Sequence, residues 1–336
     1  MIRAAIIGMG TWGQNLVRSV QGKSQDITFV AGATRTRAKA EDFAKQHGIA
    51  LVDSYEQILA DASIDAVVLA TPHSMHTAQI EQAARAGKHV FCEKPLALDS
   101  ESAMAAANAA QANNIVLGVG YNWRFQPALQ EVRRMIEDGR LGKVLHIEGN
   151  FCGPSAYRFP KGHWRHEGDE SPAGGMTGRG VHVIDAMMYL AGPITEVTAK
   201  SFRLAQDFGS DDTTSMLLGF KSGATAYLGT VIATAETWRM QIFGSNGWVQ
   251  VGDVEHLHTW DLTTCMIDKT NVTNKQKPVT HKYDAVSTER LELEDFARAI
   301  SQKKALVTPQ GDAVRNAKVL EAIIKSSTER RTVTIA

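Results

Sequence analysis

The chain opens on a stretch that leaves few folds open. Residues 1–13 read MIRAAIIGMGTWG: a short apolar run over Ala4, Ala5, Ile6 and Ile7, then Gly8, Gly10 and Gly13 in G-x-G-x-x-G spacing. Residues 14–20 follow as the opening of a helix, with Leu16, Val17 and Val20 on one side. Strand, glycine turn and helix in that order have a physical logic. Gly8 permits the tight turn, Gly10 lets a pyrophosphate approach the backbone, and Gly13 lets helix and strand pack closely. The helix N-terminus then receives the phosphate charge with its N–H groups and its dipole. Glycine spacing alone is weak evidence; its place between a strand and a helix gives it meaning. Gly8, Gly10, Thr11, Trp12 and Gly13 are therefore expected around a bound dinucleotide. Trp12 either shields the cofactor or packs on the helix that follows.

The next hundred residues repeat the alternation. An apolar strand spans 27–33, a helix 37–48 ends at Gly48, and a continuous apolar run over 64–70 is broken by Thr71-Pro72. A helix over 77–86 stops at Gly87, a strand covers 89–92, a helix capped by Asp99 or Ser100 runs to about 113, and a strand covers 115–119. Such alternation implies a doubly wound parallel sheet, with ligands beyond the strand C-termini. That rule gathers the glycine loop, Thr34, Thr71, Pro72, His73, His76, Glu93 and Lys94 around one crevice. The end of the second strand reads Ala33-Thr34-Arg35-Thr36-Arg37 and holds no carboxylate for the ribose hydroxyls of NAD. A hydroxyl and guanidinium groups suit a 2′-phosphate, so Thr34, Arg35 and Arg37 favour NADP over NAD, the other reading being a solvated turn.

With 336 residues the chain has room for about two domains. The expected division is a dinucleotide-binding domain over 1–121 and a substrate-binding and oligomerisation domain over 122–336. The second shows a helix over 127–139, a strand over 143–152, a long loop rich in Gly, Pro, Trp and His over 151–179, and a helix over 181–190. Strand candidates follow at 194–204, 213–220, 224–232, 238–243, 248–251 and 255–260, then helices over 288–301 and 312–327 and a short strand over 332–335. The fold class expected is α/β: a Rossmann sheet followed by an α+β domain with an open, mostly antiparallel sheet. Lys plus Arg and Asp plus Glu balance at 36 each, which gives no electrostatic footprint for nucleic acid or an acidic membrane. No apolar run approaches the ~20 residues of a membrane span, and no secretory leader is expected, since Arg3 precedes only four apolar residues. Cys92, Cys152 and Cys265 lie far apart and odd in number, and read as buried free thiols of a cytoplasmic protein. The histidines, His163 and His166 among them, show no metal-ligand spacing, so no metal is expected.

Three further motifs carry chemistry: Glu93-Lys94-Pro95 after a strand, Tyr121-Asn122-Trp123-Arg124-Phe125, and the run from Gly174 through His182 to Asp185. With the glycine loop, AGKHVFCEKPLAL, ATPHSMH, SMLLGFKSGATAYLG and FGSNGWVQV, the chain resembles the Gfo/Idh/MocA family over nearly its whole length. The resemblance implies a two-domain NAD(P)-dependent oxidoreductase acting on sugars, polyols, their keto forms or a few cyclic diols. It implies that Lys94 bonds the reacting oxygen, that His182 gives or takes the proton, and that Asp185 helps hold the sugar or the histidine. Tyr121, Asn122 and Arg124 are expected between cofactor and substrate. Trp164 suits the face of a sugar ring or else packs within its loop, Arg165 suits hydroxyls or a carboxylate, and Arg179 joins the substrate-binding set. Subunits are expected to pair through the second sheet as a homodimer or homotetramer. The sequence departs from the family where many members carry an aspartate four residues before the histidine. Here that position is Gly178, and Asp185, Glu167, Asp169 or Glu170 are the carboxylates nearest in sequence. Both groups needed for proton transfer remain, which favours an enzyme over a cofactor-binding sensor. A dihydrodiol dehydrogenase is the alternative within enzymes.

Overall fold

The computed structural model describes residues 1–159, 161–164, 169–252, 260–273 and 275–335. The chain divides into two compact units: Met1–Asn122 with Ser287–Ala317, and Trp123–Val286 with Lys318–Ala336.

In the first unit β1 (Ile2–Ile7), α1 (Thr11–Val20), β2 (Ile27–Ala33), α2 (Glu41–Gln46), β3 (Ala50–Leu51) and α3 (Tyr55–Ala60) are followed by β4 (Ala66–Leu69), α4 (His76–Arg85), β5 (His89–Cys92), α5 (Ser100–Ala112) and β6 (Leu117–Val119). The strands are parallel, in the order β3-β2-β1-β4-β5-β6. β4 is buried along its whole length, as a central strand covered on both faces must be, which is why it reads as an unbroken apolar run. α5 starts where the Asp99 side chain accepts a hydrogen bond from the Ser102 N–H at 2.7 Å. The expected helix over 37–48 is split into a 3₁₀ turn, Arg37–Lys39, and the short α2.

The second unit holds α6 (Pro127–Glu137), β7 (Val144–Cys152), α7 (Ser155–Arg158), α8 (Val181–Ala191), β8 (Ile194–Phe202), β9 (Thr213–Phe220), β10 (Thr225–Val231), β11 (Thr237–Gly244), β12 (Gly247–Val251), β13 (Leu262–Met266) and β14 (Val279–His281). After these come α9 (Thr288–Gln302), α10 (Gln310–Glu329) and β15 (Val333–Thr334). Among the described residues the second sheet has nine strands, in the order β14-β13-β12-β11-β7-β10-β9-β8-β15. It is mixed: β7 and β10 run parallel and the other neighbours antiparallel. β9 and β10 alternate buried with outward residues, so one face is a core and the other is not. Leu145, Leu217 and Tyr227 stand exposed. The expected strand over 255–260 falls, apart from Trp260, outside the described residues.

α9 belongs with the first unit. Its Leu293, Phe296 and Ala297 are buried in one cluster with Ile6, Leu16 and Phe29, and the Phe296 ring meets Phe91 edge-on at 5.7 Å. The segment Ser287–Ala317, placed by the expected boundary in the second domain, thus packs with the first sheet. Apolar periodicity shows that a helix buries one face but not which sheet receives it. Cys92 and Cys152 are buried and Cys265 is half-buried. Burial pushes the Cys92 thiol well up and the Cys152 thiol up, which disfavours the reactive thiolate. Among the described residues no helix is long and apolar enough to cross a membrane.

Candidate active site

The glycine loop joins β1 to α1. A Cβ on Gly13 would lie 2.0 Å from the Gly8 carbonyl oxygen, so residue 13 must be glycine for the loop to close on itself. Gly8 has φ +91°, and a Cβ there would lie 2.5 Å from the Ala70 carbonyl oxygen. Gly10 behaves differently: a Cβ on it would meet nothing within 4 Å. It caps α1 with no side-chain hydrogen bond. The opening turn of α1 is therefore not spent on a cap, and the space beside it fits the pyrophosphate of a dinucleotide. Thr11 and Trp12 form the first residues of that helix.

At the end of β2, Thr34 is half-buried and Arg35 is exposed. Arg37 pairs with Asp53 at 2.6 Å and Glu41 at 3.4 Å. All three side chains are about half or more exposed, so these pairs are worth under ~1 kcal/mol and yield readily to a stronger anion. Asp53 follows β3, a strand of two residues, too short to leave a periodic signal in the sequence.

The ends of β4 and β5 are tied by His76. Its ring is fully buried, with Nδ1 2.9 Å from the Pro95 carbonyl oxygen and Nε2 3.1 Å from that of Thr71. Thr71 donates from its hydroxyl to Gln79 at 2.6 Å, and His73 meets His76 edge-on at 5.9 Å. Pro72 is half-buried between them. This ladder fixes the backbone on which Glu93 and the half-buried Lys94 sit.

Glu93 is buried, and burial pushes its carboxyl up against the opposing pull of Lys94 and of the Trp12 indole. α9 brings a second acid, Glu292, to the same group. It too is buried, neither of its carboxyl oxygens has a hydrogen-bond partner among the described residues, and its carboxyl lies well above the ordinary range. Burial is the first cause there, followed by the charges of Glu93 and Glu289. Burial and these neighbouring charges thus disfavour the ionised form of Glu292. No local pattern marked it in the sequence. Tyr121 and Asn122 are buried at the end of the same sheet, the Asn122 amide donating to the Thr288 hydroxyl at 3.0 Å.

In the second unit Met176–Gly180 forms a π-helical turn that runs into α8. Gly178 lies in that turn, and among the described residues a Cβ there would meet nothing within 4 Å. The half-buried His182 lies in the first turn of α8 with its ring stacked on Trp123, centroids 5.2 Å apart and planes 18° from parallel. One helical turn on, Asp185 receives both arms of the Arg124 guanidinium, Nε at 2.8 Å and Nη2 at 2.7 Å. Both side chains are buried, and the Arg124 guanidinium also lies over the Tyr189 ring at 5.0 Å. Arg179 covers the Phe151 ring at 4.7 Å and donates to the Cys152 carbonyl at 3.1 Å and to Glu236 at 3.2 Å. Arg158 reaches the same Glu236 at 2.9 Å. Trp164 is half-buried and stacks on His163 at 5.9 Å. Asp169 is exposed and Glu170 half-buried, while Arg165, His166 and Glu167 lie outside the described residues. The sequence offered Trp123 within a motif without assigning it a task. Among the described residues no three His, Cys, Asp or Glu side chains group as a metal site.

Comparison with known proteins agrees with this architecture. Residues 2–121 match the family described as "Oxidoreductase family, NAD-binding Rossmann fold", and residues 129–250 match "GFO/IDH/MocA C-terminal domain". The chain is 31% identical to the inositol 2-dehydrogenase of Rhizobium meliloti, covering 100% of this chain and 99% of that one. It is 30% identical to the scyllo-inositol 2-dehydrogenase (NAD(+)) of Bacillus subtilis, over 95% of this chain and 92% of that one. Its structure superposes with TM-score 0.91 and 26% identity on that of a candidate NADPH-dependent oxidoreductase of Desulfitobacterium hafniense, covering 99% and 97% of the two chains. With a glycine loop that fits a dinucleotide, both family domains matched in order and relatives aligned end to end, the chain belongs to the Gfo/Idh/MocA family of NAD(P)-binding oxidoreductases.

Proposed function

We propose that this protein is an NADP-dependent dehydrogenase that interconverts a secondary hydroxyl and a ketone on a sugar, polyol or related cyclic substrate. The observation that carries the reading is Lys94: it follows β5 in a sheet whose glycine loop fits a dinucleotide, and a buried hydrogen-bond ladder fixes its backbone. The relatives named as inositol dehydrogenases act on such carbons. When bound, the nicotinamide supplies the hydride acceptor or donor. Lys94 holds the reacting oxygen and, partly desolvated, passes its proton directly. His182 is the second proton carrier in this reading, a task suited to imidazole chemistry. Trp164, Arg179 and Tyr121 face the substrate in this reading. Arg124 and Asp185, paired with each other, brace α8 beside His182. The preference for NADP rests on Thr34, Arg35 and Arg37, with Arg37 held only by exposed pairs that a phosphate displaces. The exposed Leu217 and Tyr227, paired across β9 and β10 on the outward face of the second sheet, are read as part of a subunit interface, forming a homodimer or homotetramer, and the location as the cytoplasm.

Calorimetric titration with NADP and NAD, followed by turnover on a panel of inositols, aldoses and cyclic diols, tests this. The expected result is NADP bound at least tenfold tighter, a difference of about 1.4 kcal/mol, with the preference reduced in Arg35→Ala. Tighter binding of NAD overturns the cofactor assignment. Turnover of cyclic diols alone transfers the substrate to that class, and binding without any turnover makes the protein a sensor.

A further inference from the structure

His182 presents a problem of orientation. An imidazole that moves a proton needs a fixed ring plane, and in many such sites a carboxylate fixes it by bonding one ring nitrogen. The resemblance puts that carboxylate at residue 178, where this chain has glycine. In the second unit the ring lies against an aromatic plate. His182, Asp185 and Tyr189 stand at i, i+3 and i+7 on α8 and so share one face. The dipeptide Trp123-Arg124 grips that face, Trp123 on the His182 ring and Arg124 on Asp185 and Tyr189.

Trp123 is itself packed among aromatic rings. Its ring lies 4.5 Å from Trp238, 5.1 Å from Trp260 and 5.3 Å from Phe151, and Trp238 and Trp260 lie 4.2 Å apart. All three tryptophans are at most 2% exposed. A ring stacked at 18° on such a plate cannot tilt about its Cβ–Cγ bond without losing the contact. Stacking also engages the face of the imidazole and not the edge that carries its nitrogens.

We infer that Trp123 is a positioning residue for His182, its indole face setting the imidazole plane in the absence of a carboxylate at Gly178. This role rests on the reading of His182 as a proton carrier. Arg124 completes the device by pinning α8 through Asp185, so ring and helix are held by consecutive residues.

The test is a double-mutant cycle in the full chain, using the best-turned-over member of the polyol panel. Trp123→Leu is expected to lower kcat by about tenfold to a hundredfold, the range that a misplaced group costs. KM and dinucleotide Kd change less than about twofold, and Trp123→Phe, which keeps a flat face, recovers most of the rate. In a His182→Asn background, Trp123→Leu then changes kcat by less than about twofold, because its effect passes through the ring already removed. Trp123→Met, which fills volume without a plate, carries the test if the Leu variant does not fold. An NMR spectrum of the histidine-labelled chain without ligands adds a readout independent of turnover. The ring-current-shifted signal that His182→Asn deletes is expected to persist in Trp123→Phe and to move to the unstacked position in Trp123→Leu. An equal loss of kcat in both backgrounds, or a Phe variant as slow as Leu, overturns the role of Trp123 while leaving His182 catalytic. No loss of kcat in His182→Asn overturns both.

Discussion

At Gly178 a Cβ meets nothing within 4 Å among the described residues, so their packing leaves room for a carboxylate there. Gly178→Asp should fold with a stability change within about 0.5 kcal/mol, as thermal melting would show; a large loss would mean that the turn needs glycine. Asp185 is the opposite case. Its bond to Arg124 is buried on both sides, and Asp185→Asn leaves a guanidinium without its counter-charge. Breaking such a pair costs about 3–5 kcal/mol, so denaturant unfolding should show a loss of that order, whereas a loss below about 1 kcal/mol would show the pair to be replaceable. Lys94 and His182 stand out as candidates in the sequence because each sits in a short motif with a fixed place relative to a strand or helix. Trp123 was legible only as an apolar residue within a motif. Which ring it meets is decided by β7, β11 and the segment through Trp260, none of them near it in sequence.

Elements long enough to show their period were read closely. β2, β5 and β9 begin and end where the sequence placed them. β3 and α3 were not read at all: a two-residue strand and a six-residue helix carry too few positions to show a period. The glycine loop makes a sharp prediction at this scale. Gly13→Ala places a Cβ 2.0 Å from backbone that cannot step aside, so dinucleotide binding by calorimetry should be lost or weakened by more than tenfold. Unchanged affinity would mean that the loop is not the phosphate site. α9 makes another through Glu292. Its carboxyl is pushed up in the folded state, so above the ordinary glutamate value of about 4.3 the folded chain binds more protons than the unfolded one. Stability is then lost as pH rises. Glu292→Gln cannot ionise and should escape that loss, so its melting temperature should exceed that of wild type by a margin that grows from pH 4 to pH 8. A margin independent of pH would show that Glu292 does not hold its proton.

For the whole molecule, the alternation of strands and helices and then the change to an antiparallel sheet were legible, because the two architectures have different periods. The sequence hid the return of α9 to the first sheet, since an amphipathic helix looks the same whichever core it covers. The first unit carries the glycine loop and Lys94, and the second carries His182 on its aromatic plate. The most direct measurement of the proposed reaction is the formation of reduced dinucleotide on the polyol panel, with wild type, Lys94→Ala and His182→Asn compared at saturating cofactor. Turnover by wild type that falls at least a hundredfold in Lys94→Ala, with dinucleotide affinity kept, is the expected result. A Lys94→Ala variant that turns over polyol at the wild-type rate would contradict the assignment of the reaction to this site.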